Sequence, residues 1–130
     1  MKKLLFIFLF LPLIILGQQT YVPDDNFEQA LIDLGYDNIL DNFVLRANII
    51  SETYLNIGSQ NITDLTGIED FESLEILYCN SNQLINLDLS QNISLTFLNC
   101  EYNQLTSLDL SNNLFLTSLQ CNHNQITSLD

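Results

Sequence analysis

Leu74-x-x-Leu77-x-Cys79-x-x-Asn82 recurs as Leu95-x-x-Leu98-x-Cys100-x-x-Asn103 and again as Leu116-x-x-Leu119-x-Cys121-x-x-Asn124. Between these copies sits a near-copy: Leu84-x-x-Leu87-x-Leu89-x-x-Asn92, then Leu105-x-x-Leu108-x-Leu110-x-x-Asn113, with Ile126-x-x-Leu129 beginning a third. Each 21-residue unit is two half-units of one design, and the Asn row steps alternately by 10 and 11. Upstream, Leu55-x-Ile57-x-x-Gln60-x-Ile62-x-x-Leu65 fits the same frame, with Gln60 in the Asn place and an interval to Leu77 of 22 rather than 21. A constant period of this length marks stacked supersecondary units.

Leu-x-Leu and Leu-x-Cys alternate with period two, so both apolar side chains face one side of a short strand. A single strand of this kind leaves its apolar face wet, and stacking the next copy continues the core. Successive strands then run parallel, about 4.8 Å apart. Asn at the end of each half-unit is turn chemistry: it tolerates unusual backbone angles, and its amide bonds nearby main chain or stacked amides in adjacent turns. In this frame Cys79, Cys100 and Cys121 are small inward-facing core residues; their equal spacing belongs to the repeat rather than to a disulfide framework, and a row is not a zinc tetrahedron.

The outward positions of the same strands are the candidate site. One place before each inward Leu stand Tyr54, Ile76, Phe97 and Ser118; one place after it stand Asn56, Tyr78, Asn99 and Gln120; two further on come Gly58, Asn80, Glu101 and Asn122. Stacking aligns Tyr54, Ile76 and Phe97 in a column beside Tyr78, flanked by amides. An apolar, aromatic column facing solvent suits recognition of protein or sugar, and ordinary cross-strand packing is the alternative explanation of the same residues. We therefore take Tyr54, Asn56, Ile76, Tyr78, Phe97, Asn99 and Gln120 as candidate partner-binding residues.

Chemistry of other kinds has little footing. His123 is the only His and falls in the turn beside Asn124, so no catalytic residue is assigned. Asp88, Asp109 and Asp130 share one repeat position with Ser90 and Ser111 nearby; we read them as solvated turn residues, with a divalent-cation row as the second reading. Asp33, Asp37 and Asp41 lack the alternating oxygen ligands and Gly of a calcium loop, so no metal or cofactor is expected.

The rest of the chain frames the repeats. Met1-Lys2-Lys3 precedes an apolar run from Leu4 to Leu16, broken by Pro12 and followed by Gly17, which reads as a secretory signal peptide over residues 1–17. The run is shorter than the roughly 20 residues a membrane span needs. From Gln18 onward Arg46 is the only basic residue against sixteen carboxylates, which excludes nucleic acid and anionic membrane surfaces as partners. Residues 24–34 show helical spacing at Phe27, Ala30, Leu31 and Leu34, with Asp24 or Asp25 as N-cap and Gly35 as the stop. The helix is expected to cover the first strand's edge. Residues 36–50 read as an irregular linker with Val44, Leu45, Ile49 and Ile50 tucked under it.

The frame LxxLxCxxNxLxxLDLSxN resembles the leucine-rich repeats of secreted proteins from Bacteroidetes-type bacteria, internalin-like solenoids with a helical N-terminal cap. Tyr21 to Leu31 and Asp64-Leu65-Thr66-Gly67-Ile68 look like that family's cap and first repeat. The resemblance implies a mainly β chain with one N-terminal helix, a right-handed solenoid of about three and a half turns in the α/β leucine-rich-repeat class. It divides into a signal peptide (1–17), a helical cap (18–50) and repeats (51–130). The implied function is an exported, non-enzymatic binding module, secreted or at the cell surface, whose strand face meets a protein partner. A glycan-binding module, or a targeting or scaffold piece of a larger secreted enzyme, is the alternative. Family members run to more turns, so the sequence is expected to be a fragment.

Overall fold

A computed structural model describes residues 19–130; the expected signal peptide lies outside them. The repeat frame folds as its period dictates. β3 (Tyr54–Asn56), β4 (Ile76–Tyr78), β5 (Phe97–Asn99) and β7 (Ser118–Gln120) form one parallel four-stranded sheet in that order. The register pairs Leu55 with Leu77, Leu77 with Leu98 and Leu98 with Leu119, so equivalent residues of successive repeats stand side by side. On the second half-units, β6 (Ser107–Leu108) pairs with β8 (Ser128–Leu129) in a smaller parallel sheet. The frame's Leu and Ile side chains fill the space between, forming one core with Cys79 and Cys100. This is a leucine-rich-repeat solenoid, mostly strand and loop with one α-helix among the described residues.

Asn side chains hold the turns, in a way the sequence predicted only in part. Asn82 donates from Nδ2 to the carbonyls of Ile57 (2.9 Å) and Cys79 (3.0 Å), and its Oδ1 accepts from the amides of Gln60 and Ile62. Asn103 and Asn124 repeat the pattern one and two turns on, donating to Cys79 and Cys100, and to Cys100 and Cys121. Their Oδ1 atoms accept from the amides of Leu84 and Leu105. The second row is built likewise, with Asn92 donating to Ile68 and Phe71 and Asn113 to Leu89 and Asn92. The stacked amides thus bond main chain, not one another, because peptide groups of the adjacent turn are the nearer buried groups needing partners. Nor does Asn carry the unusual backbone in the first row. The residue before it does: Ser81, Tyr102 and His123 have φ of 57°, 54° and 56°, and Ser59 before Gln60 has 61°. The turn itself needs one left-handed residue, since Ser59 has it before the exposed Gln60, and at the other three turns the bonds of the buried or half-buried Asn amide offset that strain.

The 22-residue interval also has a local cause. The extra residue falls between Leu65 and Ile68, where Gly67 (φ +105°) leads into a 3-10 turn at Ile68–Asp70. A Cβ on Gly67 would lie 2.8 Å from the Tyr21 carbonyl oxygen, so Gly is required both by conformation and by the close approach of the N-terminal strand. Phe71, fully buried, occupies the place that Asn92 and Asn113 fill later.

The N-terminal segment packs on this first repeat. Helix α1 (Asp25–Asp33) ends at Leu34 and the left-handed Gly35, as expected. The linker reading of 36–50 is corrected. β2 (Phe43–Leu45) pairs antiparallel with β1 (Gln19–Tyr21), and a 3-10 turn follows at Arg46–Asn48. Val44 and Ile49 are buried, but Leu34 and Leu45 are exposed and Ile50 is half-buried. Leu45 sits on a strand whose alternation turns Val44 inward and both neighbours outward. Leu34 is already the C-cap, past the last packed turn. Glu28, fully buried, tethers this segment by accepting the amides of Asp41 (2.9 Å) and Phe43 (3.1 Å).

Asp24 joins the two parts. Its Oδ1 caps the helix by accepting from Asn26 and Phe27, while Oδ2 accepts the amide and hydroxyl of Thr63 (2.8 and 2.7 Å) and the amide of Asp64. Thr20 donates to Asp70 (2.7 Å), and Arg46 pairs with Asp70 (3.4 Å) and Glu72. Partial burial raises the Asp24 pKa, but the bonds from Thr63, Phe27 and Asp64 outweigh it and leave it below the usual 3.8. A folded pKa below the unfolded one adds stability at higher pH that is lost as pH falls through the folded value.

Two outcomes are expected from these contacts. Asn103→Ala strips the buried Leu84 amide of its partner and should cost about 3 kcal/mol in urea unfolding, whereas Gln60→Ala, exposed in the equivalent place, should cost under about 0.5 kcal/mol. Asp24→Ala should cost about 1 to 2 kcal/mol at neutral pH, the deficit shrinking as the pH of the melt is lowered below 3.8. A deficit constant with pH would contradict the second.

Candidate functional site

The four-stranded sheet presents the candidate residues as the sequence spaced them. Tyr54, Ile76, Phe97 and Ser118 align as one column of register partners, and Asn56, Tyr78, Asn99 and Gln120 as the next. Alternation on three-residue strands produces this: the central Leu of each is turned into the core and its neighbours outward. The rings touch across the columns. Tyr54 and Tyr78 lie 5.9 Å apart between centroids at 54°, and Tyr78 and Phe97 4.9 Å apart at 38°. Tilted contacts at these separations are favourable for aromatic pairs. Tyr54 stays 49% exposed, while Ile76, Tyr78 and Phe97 are half-buried against one another.

Beyond Phe97 the face turns polar. Asn99 donates to Gln120 Oε1 (2.8 Å) and Asn122 donates to Glu101 Oε1 (2.7 Å), both across one rung. Asn56 is exposed and its Oδ1 accepts the Gly58 amide. The rings and these amides thus form one continuous surface, apolar at its start and hydrogen-bonding at its finish. One pair escaped the sequence reading. Tyr102 and His123 stack in parallel at 4.1 Å and 10°, at the corner leaving the strands. Aligning the residue before each Asn into its own column would have found it.

Other positions are placed elsewhere. Ser90 holds the Asp88 carboxyl below its ordinary range through its amide (2.9 Å) and hydroxyl, and Ser111 does the same for Asp109 through its hydroxyl and amide. Both therefore close turns. Among the described residues no three His, Cys, Asp or Glu side chains converge as metal ligands. A groove of about 610 Å³ lies on the second half-units, lined by Asp64, Glu69, Ile85 and Asp88 among others, where the hydroxyls of Thr63 and Thr66 bond the capping carboxylates of Asp24 and Asp64.

Cys79, Cys100 and Cys121 stand on successive rungs as free thiols. Burial, then the neighbouring Cys100, pushes the Cys79 thiol well up; burial, then Cys121, pushes Cys100 up to about 12. Cys121 is only half-buried. Iodoacetamide at about pH 8 should therefore label Cys121 well before the other two in the native chain and all three in urea, read by mass spectrometry. Equal native labelling would contradict the buried row.

No family model matches the chain. Internalin J of Listeria monocytogenes serotype 4b is 36% identical over 72 residues, which is 55% of this chain and 8% of that protein. A solved functional domain of InlJ from Listeria monocytogenes, which includes a cysteine ladder, superposes with a TM-score of 0.77 at 37% identity, over 87% of this chain and 26% of that one. The internalin InlF of Listeria monocytogenes strain 4b F2365 superposes with a TM-score of 0.74 at 23% identity, over 85% of this chain and 36% of that one, a likeness of fold alone. This chain thus spans only a small part of each relative's length. The row of thiols at Cys79, Cys100 and Cys121 stands beside the cysteine ladder of the InlJ domain, and with these likenesses the chain is a leucine-rich-repeat protein homologous to the Listeria internalins.

Proposed function

We propose that this chain is an exported binding module that holds a protein partner on its strand face. Residues 1–17 direct export and are removed; residues 18–50 cap the solenoid, and residues 51–130 display the face outside the cell or at its surface. The observation that carries the reading is the contiguous set of rings, Tyr54, Tyr78 and Phe97, on three strands whose inward residues Leu55, Leu77 and Leu98 are fully buried. Aromatic anchors ringed by hydrogen-bonding groups are what protein interfaces concentrate their energy in. A backbone held by buried amides lets such a surface bind without ordering loops first, which lowers the entropy cost of association. No catalysis is assigned, since the residues brought together bind and orient but offer no nucleophile–base pair.

A second reading, a glycan module, is favoured by one observation: the rings stand beside the amides of Asn56, Asn99 and Gln120, which match sugar hydroxyls. Parallel protein and glycan arrays separate the two. The chain should mark protein spots, and Tyr78→Ser with Phe97→Ser should weaken that signal at least about thirtyfold while circular dichroism is unchanged. Signal confined to the glycan array moves the reading to sugar; signal indifferent to the double variant removes the strand face from it.

A further inference from the structure

The strand face carries an electrostatic instruction as well as an apolar one. Glu75 is exposed and immediately precedes Ile76, and its carbonyl accepts the amides of Thr96 (2.8 Å) and Phe97 (3.1 Å), which places its backbone at the entry to β4, against β5. Glu101 follows Asn99 by two residues at the other end of the strand, its carboxylate held by Asn122 at 2.7 Å. Neither Lys nor Arg occupies any strand of this sheet. Among the described residues the only Lys or Arg is Arg46, and it is engaged by Asp70 and Glu72. The face therefore combines three rings in serial contact through Tyr78, the Glu101 carboxylate beyond β5, an exposed Glu75 at the entry to β4, and no Lys or Arg on its strands.

Resting on the strand-face reading above, we infer that the occupant is a segment of a partner protein bearing arginine side chains, laid across Tyr54, Tyr78 and Phe97. A guanidinium is planar and weakly hydrated; it stacks on an aromatic ring while its N–H groups reach a carboxylate beside the ring. Glu75 precedes β4 and Glu101 lies two residues past β5, at opposite ends of the strands that carry Tyr78 and Phe97. Lysine presents a compact, strongly hydrated charge and gains less from a tilted ring surface. The excess of carboxylates over the whole chain draws a cationic segment inward before contact, and a neutral sugar would feel nothing of that field.

The test is a selection of random dodecapeptides displayed on phage against the full chain at low salt. Arginine should be enriched at least about twofold over the starting library among binders. Isolated binders should weaken at least about tenfold on Tyr78→Ser with Phe97→Ser, and about fivefold on Glu75→Gln with Glu101→Gln or at high salt. Thermal melts by circular dichroism certify each variant, and Tyr54→Ser with Tyr78→Ser replaces the ring variant if Phe97→Ser alone lowers the melt. Binders that depend on the rings but show no arginine excess and ignore the Glu variants would overturn the arginine inference and leave the strand-face reading standing. Binders indifferent to the ring variants, or no binders at all, would overturn both.

Discussion

Stacking short strands buries the peptide groups of every turn along with the leucines, and this solenoid rests on how those groups are satisfied. The first asparagine row does it by placing one side-chain amide between two turns. Each donates to carbonyls of its own turn and of the one before, and in return accepts an amide of the earlier turn. A buried peptide group left unpaired costs about 1 to 3 kcal/mol, comparable to what a buried leucine contributes. Hydrophobic stacking without the ladder would bring little net gain. With it, each turn is both the support and the seal of the next.

The N-terminal segment solves a different problem at the first repeat. There the sequence breaks its own rule three times: Gln60 replaces Asn, Phe71 replaces the second Asn, and Gly67 adds a residue. All three changes lie in the stretch that meets the N-terminal segment or just before it. Asp24 bonds the turn at Thr63 and Asp64, the Tyr21 backbone presses on Gly67, and Thr20 and Arg46 meet at Asp70. Irregularity in the repeat is therefore the imprint of a docking surface within the chain, where polar side chains and backbone replace the contact that another repeat gives elsewhere.

How much of this is legible in the sequence depends on the range of each interaction. Period-two alternation and a constant 21-residue interval are local signals, and they place Leu77 on Leu98 and Tyr54, Ile76 and Phe97 in one file with the correct register. The helix from Asp25 is legible for the same reason, since its cap and spacing sit within eleven residues. β1 and β2 are not, because each is three residues long and gains order only by pairing with the other. Glu28 gives no sign either: a carboxylate one position from Phe27 on a helix reads as solvated, and only the returning strand supplies the amides that bury it. The left-handed residue before each Asn of the first row is hidden for the opposite reason. Serine, tyrosine and histidine share no propensity for it, and Ser59 adopts it even before the exposed Gln60, so the path of the turn imposes it rather than residue type.

The asparagine bonds also run in one direction. Asn103 serves peptide groups of its own turn and of the turn that holds Cys79 and Leu84, and nothing in the turn of Cys121 depends on it. Loss of one such side chain thus strips bonds from its own turn and the one before it, and none from the turn after it. The rod has a polarity of damage as well as of sequence, and tolerance to change along it should be graded from one end to the other.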